Sequence, residues 1–111
     1  FQEFLTAFNR VDSIIKDIEQ KEVNTSLFKK EEEKVLFEEY LKISKEVNRN
    51  IEARKLNKAY NNLMEIIDPV HDFFEEVRVM VEDEKIQKNR LALLYNIQTL
   101  MKSLGDFSYK Q

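Results

Sequence analysis

Phe1, Phe4, Leu5, Phe8, Val11, Ile15 and Ile18 recur at helical spacing at the start of the chain. That spacing gathers them on one stripe of a helix and predicts a first helix over about residues 2–20. The rhythm fails in "KEVNTSLFKK", residues 21–30, where β-branched, Asn and Ser residues cluster. Such residues favour loops, and Leu27 and Phe28 are expected to pack back on the core. Leu36, Tyr40, Ile43 and Val47 then form the seam of a second helix, about 31–47. Asn48-Arg49-Asn50 offers a break, with Asn50 as the N-cap of the next helix, although the second helix could also run on through it. Leu56, Ala59, Tyr60, Leu63 and Ile67 give a third helix, about 52–67, with these residues inward.

The stretch "PVHDFFEEVRVMVEDEKIQKNRLALL", residues 69–94, changes rhythm twice. Asp68-Pro69 reads as an N-cap and a first helical position, giving a short fourth helix over about 69–77. "RVMV" reads as extended or irregular. Glu82 or Asp83 then caps a fifth helix, about 84–104, whose acidic first turn suits the helix dipole. Ile86, Leu93, Leu94, Ile97, Leu100, Met101 and Leu104 form its stripe, and Gly105 is a natural C-cap. The pattern therefore predicts an all-α, antiparallel bundle of four or five helices, one domain over residues 1–111. No internal repeat or low-complexity segment interrupts it.

Composition agrees. Of 111 residues, 42% are apolar and 35% charged, so a core can form under a solvated surface. One Gly and one Pro argue against a turn-rich β architecture. Without Cys there is no disulfide, thiol chemistry or Cys-based zinc site. No apolar run approaches the roughly 18–20 residues of a membrane span. The chain opens mid-pattern and without an initiator Met, which suggests a piece of a longer cytoplasmic protein.

The net charge of −3 argues against nucleic-acid binding overall, but the distribution is uneven. Residues 42–58 hold Lys42, Lys45, Arg49, Arg54, Lys55 and Lys58 against only Glu46 and Glu52, a local charge of +4. As a solvated face this window needs no partner. As a phosphate-tracking patch it supplies a salt-dependent, sequence-independent attraction.

Catalysis is not indicated. There is no Gly-rich phosphate loop, and His71 is the only histidine, with no Ser placed beside it. His71 and Glu75 at i, i+4, with Asp68 upstream, faintly suggest a carboxylate-rich metal site. Such sites in bundles use a second copy of the motif, so a helix-face His is preferred and no metal is expected. The carboxylates of "EEE" on the second helix, and Asp72, Glu75 and Glu76, read as solvated faces. Phe4, Phe8, Phe37, Tyr40, Phe73 and Phe74 lie at or near core-facing positions. Tyr95, Phe107 and Tyr109 are freer to stack on an unpaired base. Arg90 lies inside the apolar stripe between Ile86 and Leu94, so its charge requires a partner. Asp72 and Asp83 are the expected acceptors, tying the fifth helix to the "VRVMV" segment. The alternative is a base or phosphate contact.

The 69–94 stretch resembles the C-terminal anticodon-binding (DALR-like) region of the bacterial glycyl-tRNA synthetase beta subunit, whose pattern is close to "PVD-FFD-VMVM-ED--LR-NRLALL". The matches are Pro69, Val70, Phe73, Phe74, Val77, Val79, Met80, Glu82, Asp83, Asn89, Arg90, Leu91, Ala92, Leu93 and Leu94. "FNRVDSII", Leu27-Phe28 and "GDFS" extend the similarity over nearly the whole chain. The specific core is "FF…V-VM…D…NRLALL", since arginyl-tRNA synthetase anticodon domains carry a similar "NRL-LL" helix. His71, Arg78, Lys88 and Ser13 depart from the pattern.

The resemblance implies an all-α domain that holds the anticodon arm of glycine tRNA and does no chemistry itself, within a two-subunit glycine–tRNA ligase. ATP and Mg would be used by the alpha subunit, with no cofactor in this segment. The implied partners are tRNA, the alpha subunit and the rest of the beta subunit, with neither membrane nor DNA. Phosphate contacts are then expected from Lys42, Lys45, Arg49, Arg54, Lys55 and Lys58, with Arg78 in the loop as a further candidate. A non-RNA-binding docking module, or an arginyl-type anticodon domain, are the alternatives.

Overall fold

A computed structural model describes residues 2–105. It contains α1 (Gln2–Ile14), α2 (Glu31–Glu52), α3 (Leu56–Met64), α4 (Ile67–Glu76) and α5 (Glu84–Met101). Short 3₁₀ turns occupy Thr25–Leu27 and Lys102–Leu104, and no strand is present among the described residues. The all-α expectation holds. No helix among the described residues is long and apolar enough to cross a membrane.

α2 is the longest element, and α3, α4 and α5 all pack against it, while α1 lies against α4 and α5. One buried cluster draws on all five helices: Phe4, Phe8 and Val11 from α1, Leu36, Ile43 and Val47 from α2, Leu63 from α3, Phe73 from α4, and Leu93, Leu94 and Ile97 from α5. Of the aromatic residues expected inside, Phe4, Phe8 and Phe73 are fully buried, whereas Phe37, Tyr40 and Phe74 are half-buried. Leu56, expected inward, is 57% exposed at the start of α3.

Several boundaries differ from the periodicity, each for a local reason. α1 stops at Ile14 although Ile15 and Ile18 continue the stripe. The Ser13 hydroxyl donates to the Arg10 carbonyl at 2.9 Å, and Asp17 adopts a left-handed φ of 50°. Residues 15–24 instead run along α5. Asn89, fully buried, accepts from the Asn24 N–H at 2.7 Å and donates to the Asn24 carbonyl at 3.0 Å. Asn96 donates to the Lys21 carbonyl at 2.8 Å. This polar strap satisfies backbone groups that the helix would otherwise have paired.

α2 runs through Asn48-Arg49-Asn50 to Glu52, so the expected break is absent. Val47 is buried there and Ile51 packs against the core, while Asn50 donates to the Asn62 side chain on α3 at 2.7 Å. A bonded Asn loses its usual reason to leave a helix.

α4 begins at Ile67, so Asp68 and Pro69 lie within its first turn and Asp68 is not the N-cap. Pro is tolerated there because first-turn amides have no intrahelical acceptor. The helix gives way at Val77 to extended backbone, which then bends at Val79 and Met80, where the Val81 N–H donates to the Val79 carbonyl at 3.1 Å. Val77 and Val79 are buried while Arg78 and Met80 face out, the two-residue alternation of an extended chain. Asp83 caps α5, accepting from the Lys85 and Ile86 N–H groups at 2.9 and 3.2 Å. Gly105 ends the last 3₁₀ turn at φ 142°, a conformation that side-chain-bearing residues rarely adopt.

Candidate nucleic-acid interface

Lys42, Lys45 and Arg49 are exposed on the half of α2 turned away from Leu36, Ile43 and Val47. At about 1.5 Å of rise per residue they span about 10 Å along the helix. Arg54 and Lys55 come next in the turn to α3, and Lys58 in its first turn, all exposed.

That turn is a Schellman closure. The Lys55 N–H reaches the Asn50 carbonyl at 2.8 Å and the Arg54 N–H reaches the Ile51 carbonyl at 3.0 Å. Its pivot is Arg54 at φ 60°, where glycine is the usual residue. The backbone thus brings Arg49, Arg54 and Lys55 together at one end of α2, with Lys45 and Lys42 one and two turns below. Arg49 is ion-paired with Glu46. The other five cations have no ion pair among the described residues.

Arg78 does not join them. It is exposed, but its carbonyl accepts from Arg90, which in turn grips Glu33 near the opposite end of α2. Sixteen residues of helix separate Glu33 from Arg49, about 24 Å.

The Arg90 ion pair exists, but with a different acceptor from those expected. Arg90 Nε meets Glu33 Oε1 at 3.0 Å and Nη2 meets Oε2 at 3.3 Å; Glu33 is fully buried and Arg90 is 6% exposed. Asp83 is occupied as the α5 cap, and Asp72 is exposed on α4. Glu33 Oε2 also accepts from the Lys29 and Lys30 N–H groups at 2.8 and 2.9 Å, closing the start of α2.

Burial pushes the Glu33 carboxyl pKa up. The Arg90 hydrogen bond, the two backbone N–H groups and the Arg90 charge outweigh it and leave the carboxyl below its ordinary value. Glu33 therefore does not belong to a solvated "EEE" face. Its position three residues into a helix, opposite an orphan arginine, was the available signal.

Among the described residues, no group of three or more His, Asp or Glu is arranged to hold a metal ion. Tyr95 is half-buried with the Lys21 ammonium 5.4 Å from its ring centre, so a cation already lies over the ring. Phe107 and Tyr109, and the "GDFS" segment beyond Gly105, lie outside the described residues.

Phe37 and Tyr40, expected at or near core-facing positions, do pack against the core but stay partly exposed, and they form a row with Phe28. Phe28 stands edge-on to Phe37 at 5.9 Å, and Tyr40 stacks on it at 6.1 Å and 22°.

Comparison with known proteins places this scaffold. The family model described as the DALR anticodon binding domain matches residues 4–106. The chain is 42% identical to a glycine–tRNA ligase beta subunit of Thermodesulfovibrio yellowstonii over 108 residues, covering 97% of this chain and 16% of the relative. It is 35% identical to that of Natranaerobius thermophilus over 106 residues, covering 96% and 15%. It is 33% identical to that of Thermotoga neapolitana over 109 residues, covering 98% and 16%. The chain thus spans only a small part of the curated relatives' length. Because the matched span reaches every helix from α1 to α5, the chain belongs to the DALR anticodon binding domain family.

Proposed function

We propose that this chain grips the anticodon arm of a tRNA and performs no reaction itself. The observation that carries the reading is the row of exposed cations from Lys42 to Lys58 around the end of α2, in a chain whose net charge is −3. Cations concentrated at one helix end and turn, on an otherwise acidic molecule, form an attachment point for a phosphate backbone. The family match supplies the class of RNA.

The similarity to glycine–tRNA ligase beta subunits makes glycine tRNA the substrate we infer. The parent assembly is then a cytoplasmic ligase whose alpha subunit uses ATP and Mg to charge it. In that setting the chain also contacts the remainder of the beta subunit and the alpha subunit.

The test is a titration of the chain with a glycine-tRNA anticodon stem-loop over a range of salt. Affinity falls with log salt by about 0.7–0.9 per neutralised phosphate. No binding at low salt, or a flat salt response, overturns the reading and favours a protein-docking module.

A further inference from the structure

We infer that the aromatic row on α2 is a stacking site for an unpaired base of the bound RNA, with Phe37 as its floor and Leu41 as its side wall. This rests on the RNA-binding reading above and adds a second contact to it.

Four observations point there. First, Phe28, Lys34, Phe37, Glu38 and Leu41 line a cleft of about 490 Å³ between the Thr25–Leu27 turn and α2. Second, Leu41 is 53% exposed, a large apolar side chain at the cleft edge with nothing covering it. Third, the Phe37 ring is in contact with both Tyr40, stacked on it, and Phe28, edge-on to it, yet Phe37 still lines the cleft. A ring fixed in this way loses little freedom when a base stacks on it, and such stacking accepts any base.

The fourth observation is charge. Lys34, Phe37, Leu41 and Lys45 fall within about 80° of the α2 circumference. Exposed ammonium groups therefore flank the apolar cleft, about 16 Å apart along the axis. Lys45 belongs to the cationic row described above, so a strand held there is led along the same helix face toward the cleft. A basic track interrupted by an aromatic platform is how single-stranded nucleic acid is held, since the phosphates and the bases need different surfaces. An apolar protein segment would satisfy the cleft but not the lysines on either side.

Glu38 adds selectivity. It lines the cleft and has no ion pair among the described residues. A carboxylate only accepts hydrogen bonds, so it favours a base carrying an amino donor, such as cytosine, over uracil.

The experiment uses the full chain and an anticodon stem-loop carrying 2-aminopurine in its loop, with a fully paired RNA hairpin as comparison. The unaltered chain quenches the fluorophore. Phe37→Leu keeps the bulk but removes the ring; it weakens stem-loop binding about ten-fold, abolishes the quench and leaves affinity for the paired hairpin unchanged. Leu41→Gln, at an exposed position that does not threaten folding, produces a smaller loss of the same kind. Glu38→Gln narrows the preference for oligocytidylate over oligouridylate.

Unchanged quench and affinity in Phe37→Leu and Leu41→Gln, with wild-type melting, overturn the stacking site while the cationic grip stands. Loss of assembly with the parent ligase in these variants, with RNA affinity intact, also overturns it and makes the cleft a protein contact. Failure of the unaltered chain to bind the stem-loop at low salt overturns both readings together.

Discussion

Arg90 and Glu33 meet through two parallel contacts, 3.0 and 3.3 Å, although they lie 57 positions apart in the sequence. The same carboxylate closes the start of α2, and the same guanidinium holds the Arg78 carbonyl. One pair therefore joins α2, α5 and the extended segment between α4 and α5.

Removing one member of a buried pair strands the other. Arg90→Leu is expected to lower stability by about 3–5 kcal/mol, because Glu33 remains charged in an apolar site. Glu33→Gln keeps an acceptor for the Lys29 and Lys30 amides and costs less. The pH dependence has a definite sign. In the wild type the Glu33 pKa is depressed, so its contribution is present above the ordinary glutamate range and is lost as pH falls through the lower folded value. In Arg90→Leu the largest lowering influence is gone and burial raises that pKa. The deficit of the variant is then greatest at neutral pH and shrinks near about pH 4. Urea midpoints at both pH values test this; a deficit that does not change with pH contradicts it.

Asn89 holds both backbone groups of Asn24. Asn89→Leu leaves them without their partner and is expected to cost about 2 kcal/mol. Amide exchange should accelerate over residues 15–24 before it does so in α2 or α4. Uniform acceleration throughout the chain contradicts a local strap.

Arg54 sits at φ 60°, a conformation that costs a side-chain-bearing residue roughly 1 kcal/mol or more. Arg54→Gly is expected to raise stability by about 1 kcal/mol while shortening the cationic row by one. Paired measurement of thermal melting and of the salt slope of RNA binding decides this. If stability rises and the slope is unaltered, Arg54 makes no phosphate contact.

Lys42 and Lys45 are exposed and have no ion pair among the described residues, so reversing both charges leaves the core untouched. Lys42→Glu with Lys45→Glu is expected to keep stability within about 0.5 kcal/mol of the wild type, read from thermal melting. RNA affinity should drop at least about ten-fold at low salt, with a slope shallower by about two phosphates. Equal affinity for the stem-loop removes these two lysines from the interface.

Asp83 as the α5 cap, the "VRVMV" break and the Leu93, Leu94, Ile97 stripe were legible because each is a local pattern with one physical solution. The ends of α1 and α2 were not. Ile15 and Ile18 continue a helical rhythm, yet strap residues satisfied by Asn89 and Asn96 have no need of a helix. Asn48 and Asn50 look like a break, yet Asn50 is tied to Asn62. Glu33 was missed because its partner lies 57 positions away and it sits in a run of three glutamates whose first, Glu31, is exposed.

The residues carrying the family resemblance in 69–94 are chiefly core and clamp residues: Val70, Phe73, Val77, Val79, Asn89, Arg90, Leu93 and Leu94. They specify the scaffold, and none of the cations of the 42–58 row is among them. Fold and family were therefore readable together, while the interface had to be approached through surface charge.

Asn89 and Arg90 are adjacent, and they fasten segments 65 and 57 positions upstream. Neither fastening can form during synthesis until α5 has left the ribosome. Until then residues 15–33 lack their anchors, and the buried Glu33 carboxylate has no counterion. The packing of the domain therefore cannot be completed before α5 emerges. A chain interrupted before Arg90 would display its apolar surfaces to chaperones and proteases rather than persist as a partly finished RNA binder.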